Sequence, residues 1–376
     1  MPLRVGVDYL PAAAHVPGVG RYLRELVRAL AAAERDHDGP GGEARIELLL
    51  LELGRAPRAV GEDALGIAGA AAVARRRRLR LPRRLLGPLA RATGLCADSL
   101  LGGADLVHGA LVPPLPVARA RRTLALAELA RAASPAAHEL RRALAGVDEL
   151  FVFSDHGARE AVRRLDWPAE RVRVTPPGCD HWRRQLSTLP ARADPPLVLA
   201  LGALAVRRRP LELLRAVEHL RAGGIEARLV WAGRAGDAAR AFEAARAASP
   251  ARAAVSCVRD PREESLPGLV ARAAVLVHLC DEQLTPVTPL EAFSFGTPVV
   301  ASRLPAFEEA LAGEAALVAD EELAGGPQAL ADALARAIAG SAEEAGARRR
   351  LAVAAPFSWR ACARATAAAW RAVAAR

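Results

Sequence analysis

The stretch Val275–Ala301, VLVHLCDEQLTPVTPLEAFSFGTPVVA, constrains this chain more than any other. Val275–Leu279 is an apolar run of strand length. A polar loop containing proline follows. The spacing then predicts a helix opening near Pro289, with Glu291 in its first turn. Gly296–Pro298 breaks that helix, and Val299–Ala301 is a second apolar strand. A strand, a crossover helix and a strand read as one βαβ step of a parallel sheet. In such sheets, a loop at the carboxyl end of a strand that feeds a helix N-terminus is where phosphorylated ligands bind. A carboxylate such as Glu291 would repel a phosphate there, and is better suited to accept hydrogen bonds from hydroxyl groups beside it.

The same alternation runs through the whole chain. Leu3–Val7 is strand-like, and Leu23–Ala33 has apolar residues at helical spacing. Ile46–Leu51, Ala104–His108, Thr123–Leu126, Glu149–Ser154 and Val172–Thr175 read as strands. Ser134–Ala145 and Gly157–Leu165 read as helices. Asp180–Pro196 has no period and is polar and charged, as a linker would be. The alternation then restarts with strands at Leu197–Leu201, Ala227–Ala232 and Ala253–Val258, interleaved with helices at Pro210–Arg221, Asp237–Ala248 and Leu266–Ala273. The expectation is an α/β protein of two doubly wound parallel-sheet domains, with the ligand in the cleft between them. The expected boundaries are 1–180, a linker at 181–196, 197–355, and a C-terminal helix at 356–376.

The length of 376 residues suits two domains. No uninterrupted apolar run reaches membrane-spanning length. The opening MPLRVGVDYL enters a strand directly rather than a signal peptide, and the five cysteines form no CxxC pair. A reducing cytoplasm without structural metals or disulfides is therefore expected. The net charge is +10 at a pI near 10.7, which suggests an anionic partner. The chain has no lysine and no asparagine, and all 52 basic residues are arginine. A GC-rich genome accounts for that bias. Lys-to-Arg changes are then drift, whereas a missing Glu or His is not.

Several sites have both a functional and an ordinary reading. Gly18 and Gly20 allow a ligand to approach the backbone closely, or simply make a turn. Arg207 and Arg208 lie between a strand and a helix. Guanidinium forks there suit a diphosphate, or form a solvated basic turn. Glu291 holds hydroxyls, or stabilises the first turn of its helix. His108 ends a strand and is either a functional group or structural. Arg75, Arg76, Arg77, Arg78, Arg80, Arg83 and Arg84 are interleaved with Leu79, Leu81, Leu85 and Leu86. Together they suggest a basic amphipathic helix over Arg75–Arg91, broken at Pro82 and Pro88. Such a helix would lie on an anionic membrane, or be plain solvated surface. The segment has no aromatics for base stacking, which argues against nucleic acid.

Glu291-Ala292 and Gly296-Thr297-Pro298-Val299-Val300-Ala301-Ser302 resemble the signature of the GT-B retaining glycosyltransferases, family 4 (glycosyl transferases group 1). Four further segments resemble family motifs in the same order: Gly18-Val19-Gly20-Arg21-Tyr22, Pro177-Gly178-Cys179-Asp180, Gly202-Ala203-Leu204 with Arg207-Arg208, and Phe357-Ser358-Trp359. The resemblance implies a nucleoside-diphosphate sugar as donor, with no metal or other cofactor. Arg207 and Arg208 would sit on its diphosphate, Glu291 on its ribose, and Gly18, Val19 and Gly20 near its phosphates. A glycan or lipid-linked acceptor in surface polysaccharide or glycolipid assembly would follow, at the inner face of the plasma membrane. Two positions depart from the pattern. Gln283 stands where the first Glu of the signature is expected, eight positions before Glu291. Ala127-Glu128 stands where His-Asp is expected, with His108 as a nearby substitute. These departures imply an alternative: a catalytically degenerate protein that serves as a partner subunit.

Overall fold

The computed structural model describes residues 1–35, 45–54, 67, 73–129 and 135–376. The chain divides into two compact units. One comprises Met1–Gly178 with Trp359–Arg376, and the other Cys179–Ser358.

The first unit is built on a parallel sheet of seven strands: β1 Leu3–Asp8, β2 Ile46–Leu53, β3 Ala74–Leu79, β4 Leu106–Gly109, β5 Arg121–Ala125, β6 Glu149–Val152 and β7 Val172–Val174. Their order is β3-β2-β1-β4-β5-β6-β7, so the winding reverses between β1 and β4. The unbroken leucine run of β2 follows from burial on both faces. Leu48 and Leu50 pack with Val5, Val7, Leu23 and Trp370, while Leu49, Leu51 and Leu53 pack with Leu86, Ala97 and Val107. The helices Val19–Arg35 and Trp359–Ala374 cover the first of these faces.

The second unit has six parallel strands: β8 Leu197–Leu201, β9 Arg228–Gly233, β10 Val255–Arg259, β11 Val275–His278, β12 Val299–Ser302 and β13 Ala316–Val318. Their order is β10-β9-β8-β11-β12-β13, with the reversal between β8 and β11. Alternate residues again feed two cores. Val198, Trp231, Val277 and Val300 lie in one; Leu199, Val230, Leu276 and Val299 lie in the other.

Two expectations need correction. The arginine run is an edge strand, not a helix over Arg75–Arg91. β3 pairs with β2 from Leu48↔Ala74 to Leu53↔Leu79. Two carboxylates on β2 select that arrangement: Glu52 takes Arg76 at 2.6 Å and Arg78 at 3.2 Å, and Glu47 takes Arg75 at 3.2 Å. Arginines along an edge also discourage pairing with another sheet. Pro82 then holds an extended backbone, and a helix begins only at Arg83. Arg83 itself turns inward to Asp8, at 2.7 Å. Second, the segment read as a linker is part of the second unit. Trp182 is buried in its core. Arg192 donates to the carbonyls of Ala271 and Ala273 and to the Thr297 hydroxyl. Polar composition concealed these anchors. β13, of only three residues, was not among the expected strands. The expected helix from Ser134 is seen as Pro135–Ala143, and Ser134 lies outside the described residues.

Candidate donor site at the carboxyl edge of the second sheet

The reversal between β8 and β11 opens the carboxyl ends of these strands to a ligand. The backbone of the loop after β8 is fixed by its neighbour. Gly202 has φ +122°, and its carbonyl accepts from the Trp231 indole at 2.8 Å. Leu204 N–H donates to the Arg234 carbonyl, and Val206 N–H to the Asp237 carboxylate at 2.8 Å. This lacing sets up a single 3-10 turn, Val206–Arg208, followed by the helix Pro210–Ala222. Between them Arg209 adopts φ +53° and reaches Asp281 at 2.8 Å and Asp320 at 3.3 Å. Arg209 therefore ties this loop to the one after β11, leaving Arg207 exposed and Arg208 half-buried.

Arg208 meets His278, the last residue of β11. Its Nη1 lies 2.8 Å from Nε2 and 3.4 Å from Nδ1 of the ring. The Gln283 amide oxygen is also 2.8 Å from His278 Nε2, and the Gln283 amide nitrogen donates to the Thr285 carbonyl at 2.7 Å. Arg208 and the Gln283 oxygen thus share Nε2, which donates to Gln283 in one tautomer and accepts from Arg208 in the other, but cannot do both at once. Burial lowers the His278 pKa to about 3; the Arg208 charge lowers it further, the Gln283 hydrogen bond opposes this, and the Arg207 charge lowers it slightly. His278 is therefore neutral, and two sequence-predicted residues, Arg208 and Gln283, converge on an imidazole that sequence reasoning did not select. Its signal was its place at the end of an apolar strand, next to the reversal.

Glu291 sits deeper. Its helix opens at Val287 rather than Pro289, which places Glu291 past the first turn, so stabilisation of the helix terminus does not explain it. Pro289 falls in the first turn, where its missing N–H costs no helical hydrogen bond. Glu291 has no accessible surface, and its Oε1 lies 3.5 Å from His181 Nε2. His181 was also missed, because it directly follows Asp180 in the supposed linker.

In the first unit, Gly18 has φ +73° and turns the chain into the helix that begins at Val19. A Cβ on Gly20 would stand 2.3 Å from the Pro11 carbonyl oxygen, so close packing of backbone explains that glycine. His108 is a core residue. Nδ1 is 2.9 Å from the Thr123 hydroxyl, Nε2 is 3.5 Å from Tyr22, and the ring edges meet Phe151 and Trp370. Burial lowers its pKa to about 3. Like Glu291, it has no accessible surface. Glu128 is exposed, beyond the end of β5.

The two buried histidines predict an acid limb. The unfolded chain protonates each imidazole near its ordinary pKa of about 6.5, and the folded protein only near 3. Their contribution to stability is therefore complete above about pH 6.5 and is lost as pH falls toward 3. Each adds a slope of about 1.4 kcal/mol per pH unit within that window. Urea unfolding between pH 7 and pH 4.5 should show this slope. His108→Gln should show a shallower acid limb than the parent, and an unchanged limb would refute the assignment.

Residues 195–340, most of the second unit, match the family model described as Glycosyl transferases group 1. No curated protein sequence matches the chain. Among solved structures, a sucrose-phosphate synthase from Thermosynechococcus elongatus is similar with a TM-score of 0.71 and 20% identity, over 99% of both chains. An α,α-trehalose-phosphate synthase (UDP-forming) from Burkholderia vietnamiensis gives 0.68 and 15%, over 100% of this chain and 98% of that one. WaaG, a glycosyltransferase involved in lipopolysaccharide biosynthesis, gives 0.63 and 16%, over 97% and 98%. At these identities the likeness is one of fold: the two α/β units have the GT-B architecture. Among the described residues no helix is long and apolar enough to cross a membrane.

Proposed function

We propose that this chain is a retaining glycosyltransferase that takes a nucleoside-diphosphate sugar as donor and a glycan or lipid-linked molecule as acceptor. The observation that carries this reading is the placement of Arg208, His278 and Gln283 at the sheet reversal, inside the segment that matches the family model. Arg207 and Arg208 hold the diphosphate, Glu291 takes ribose hydroxyls, and Gln283 faces the sugar. The bond between the sugar C1 and the diphosphate oxygen breaks, and the electron pair leaves with the diphosphate. The guanidinium groups stabilise that charge as it develops. The acceptor hydroxyl adds to C1 from the same face, and its proton passes to the departing diphosphate. The arginines carry the neutralisation in this scheme, without a metal ion or other cofactor. Bacterial surface polysaccharide or glycolipid assembly is the setting proposed, in the cytoplasm at the inner face of the plasma membrane. Arg77, Arg80 and Arg84, which have no ion pair among the described residues, are the basic groups left to meet such a surface.

A second reading rests on two observations. Glu291 has no accessible surface, and both ends of the Gln283 amide are already engaged. They favour a GT-B protein that keeps the fold and acts as a non-enzymatic partner subunit. Turnover separates the two readings. The protein is incubated with UDP-, GDP- and ADP-sugars, with water or a simple glycoside as acceptor, and release of nucleoside diphosphate is followed. Release well above the buffer rate from one donor supports the enzyme. Nucleotide binding without release from any donor supports the partner subunit.

A further inference from the structure

The first unit holds a cavity of about 330 Å³, lined by Arg121, Asp148, Glu149, Arg171, Val373 and Arg376. Arg121 and Glu149 are the first residues of β5 and β6, and Arg171 directly precedes β7. These strands are parallel, so all three residues stand at the amino edge of the sheet. Substrates of doubly wound sheets bind beyond the carboxyl edge, so an occupant here would be separate from them.

Arg171 is held from three sides. Its Nε donates to the Asp148 carbonyl at 2.6 Å, its Nη2 donates to the Val147 carbonyl, and its guanidinium carbon lies 5.3 Å from the centre of the Trp167 ring. Carbonyls and a ring orient a guanidinium without neutralising it. Among the described residues, Arg171 meets no carboxylate. Arg121 and Arg376 are open to solvent, with side chains 42% and 51% exposed. Arg121 meets Asp148 at 3.2 Å, and Arg376 meets Glu149 at 2.7 Å. Each of the three lining arginines keeps N–H donors that have no acceptor among the described residues. Glu149 also takes Arg173 at 2.7 Å. Arginine stays protonated at any physiological pH. With Arg173 counted, the guanidinium groups here outnumber the carboxyl groups of Asp148 and Glu149 whether or not buried Glu149 is ionised. They still do so with a carboxylate on Arg376.

We propose that this cavity binds a phosphate group, as the free ion or on a small ester. Guanidinium forks pair with phosphate oxygens through parallel N–H donors. The volume has room for about ten waters, more than a lone phosphate ion fills, and lies at the lower end of small-molecule sites, which favours an ester. Asp148 Oδ1 accepts from Arg121 alone and keeps a lone pair for a hydroxyl on the same molecule. The site belongs to the first unit, and the inference stands whatever the second unit binds.

The test is a calorimetric titration of the full chain, in phosphate-free buffer, with inorganic phosphate and with glucose 6-phosphate. Parent, Arg121→Gln, Arg171→Gln and Arg208→Ala are compared. Loss of a hydrogen bond to a charged group corresponds to about tenfold or more. Arg121→Gln and Arg171→Gln should each weaken binding by that factor, and Arg208→Ala, in the other unit, should leave it within about twofold. Tighter binding of the ester would support the inference and identify an ester as occupant; equal binding would support it and identify the free ion. No saturable binding of either by the parent would overturn it. So would binding that survives both arginine substitutions, or that Arg208→Ala abolishes, since the phosphate would then sit elsewhere. If Arg171→Gln does not fold, as judged by circular dichroism, Arg376→Gln takes its place in the comparison.

Discussion

Replacing Arg208 with alanine is expected to slow sugar transfer by about a hundredfold to a thousandfold, the cost of removing one charge-stabilising donor from a reacting centre. The effect should fall mainly on kcat, because charge on the departing diphosphate is greatest in the transition state. Arg208 is suited to the role by its surroundings. Its guanidinium faces a neutral imidazole at 2.8 Å, so its positive charge is not cancelled by that partner. Arg209, one position on, is bound to Asp281 and Asp320 and belongs to the loop's framework. Steady-state release of nucleoside diphosphate measures the difference. A parent-like kcat in Arg208→Ala would remove this residue from the chemistry.

The largest effect on folding is expected at Gly233, which ends β9. A Cβ there would stand 1.9 Å from the Gly202 carbonyl oxygen and 2.4 Å from its carbon. These are backbone atoms, and Gly202 is already fixed by its hydrogen bonds to Trp231 and Ala232. Neither atom can swing away as a side chain would. Gly233→Ala should cost about 3 kcal/mol or more, at or beyond the upper end of ordinary overpacking. The loop carrying Arg207 and Arg208 should shift with it. Urea unfolding followed by tryptophan fluorescence tests this, since Trp231 reports on the same contact. An unchanged unfolding midpoint would mean that the two strand ends do not approach as closely as described.

The sheet strands were legible because they are buried on both faces, so runs such as Leu48–Leu51 and Leu197–Leu201 are apolar throughout. β3 was not, since its arginines are neutralised by carboxylates on β2, a pairing that local periodicity does not reveal. The candidate site divides in the same way. Arg208, Gln283 and Glu291 lie in segments whose order along the chain gives them away. His278 and His181, the groups each is set against, were invisible as partners because those contacts depend on how the loops fold back. His108 shows the converse. Its position at a strand end looked functional, but the side chain points into the core between Tyr22, Phe151 and Trp370.

In the proposed function the second unit binds a nucleoside diphosphate through the loop after β8 and through Glu291. The most direct measurement is a calorimetric titration of the folded chain with UDP, GDP and ADP, repeated on Glu291→Ala. One of the three should bind with a stoichiometry of one and a micromolar dissociation constant, about −8 kcal/mol, and the substitution should weaken it by tenfold or more. Folded protein that binds none of the three would contradict the claim.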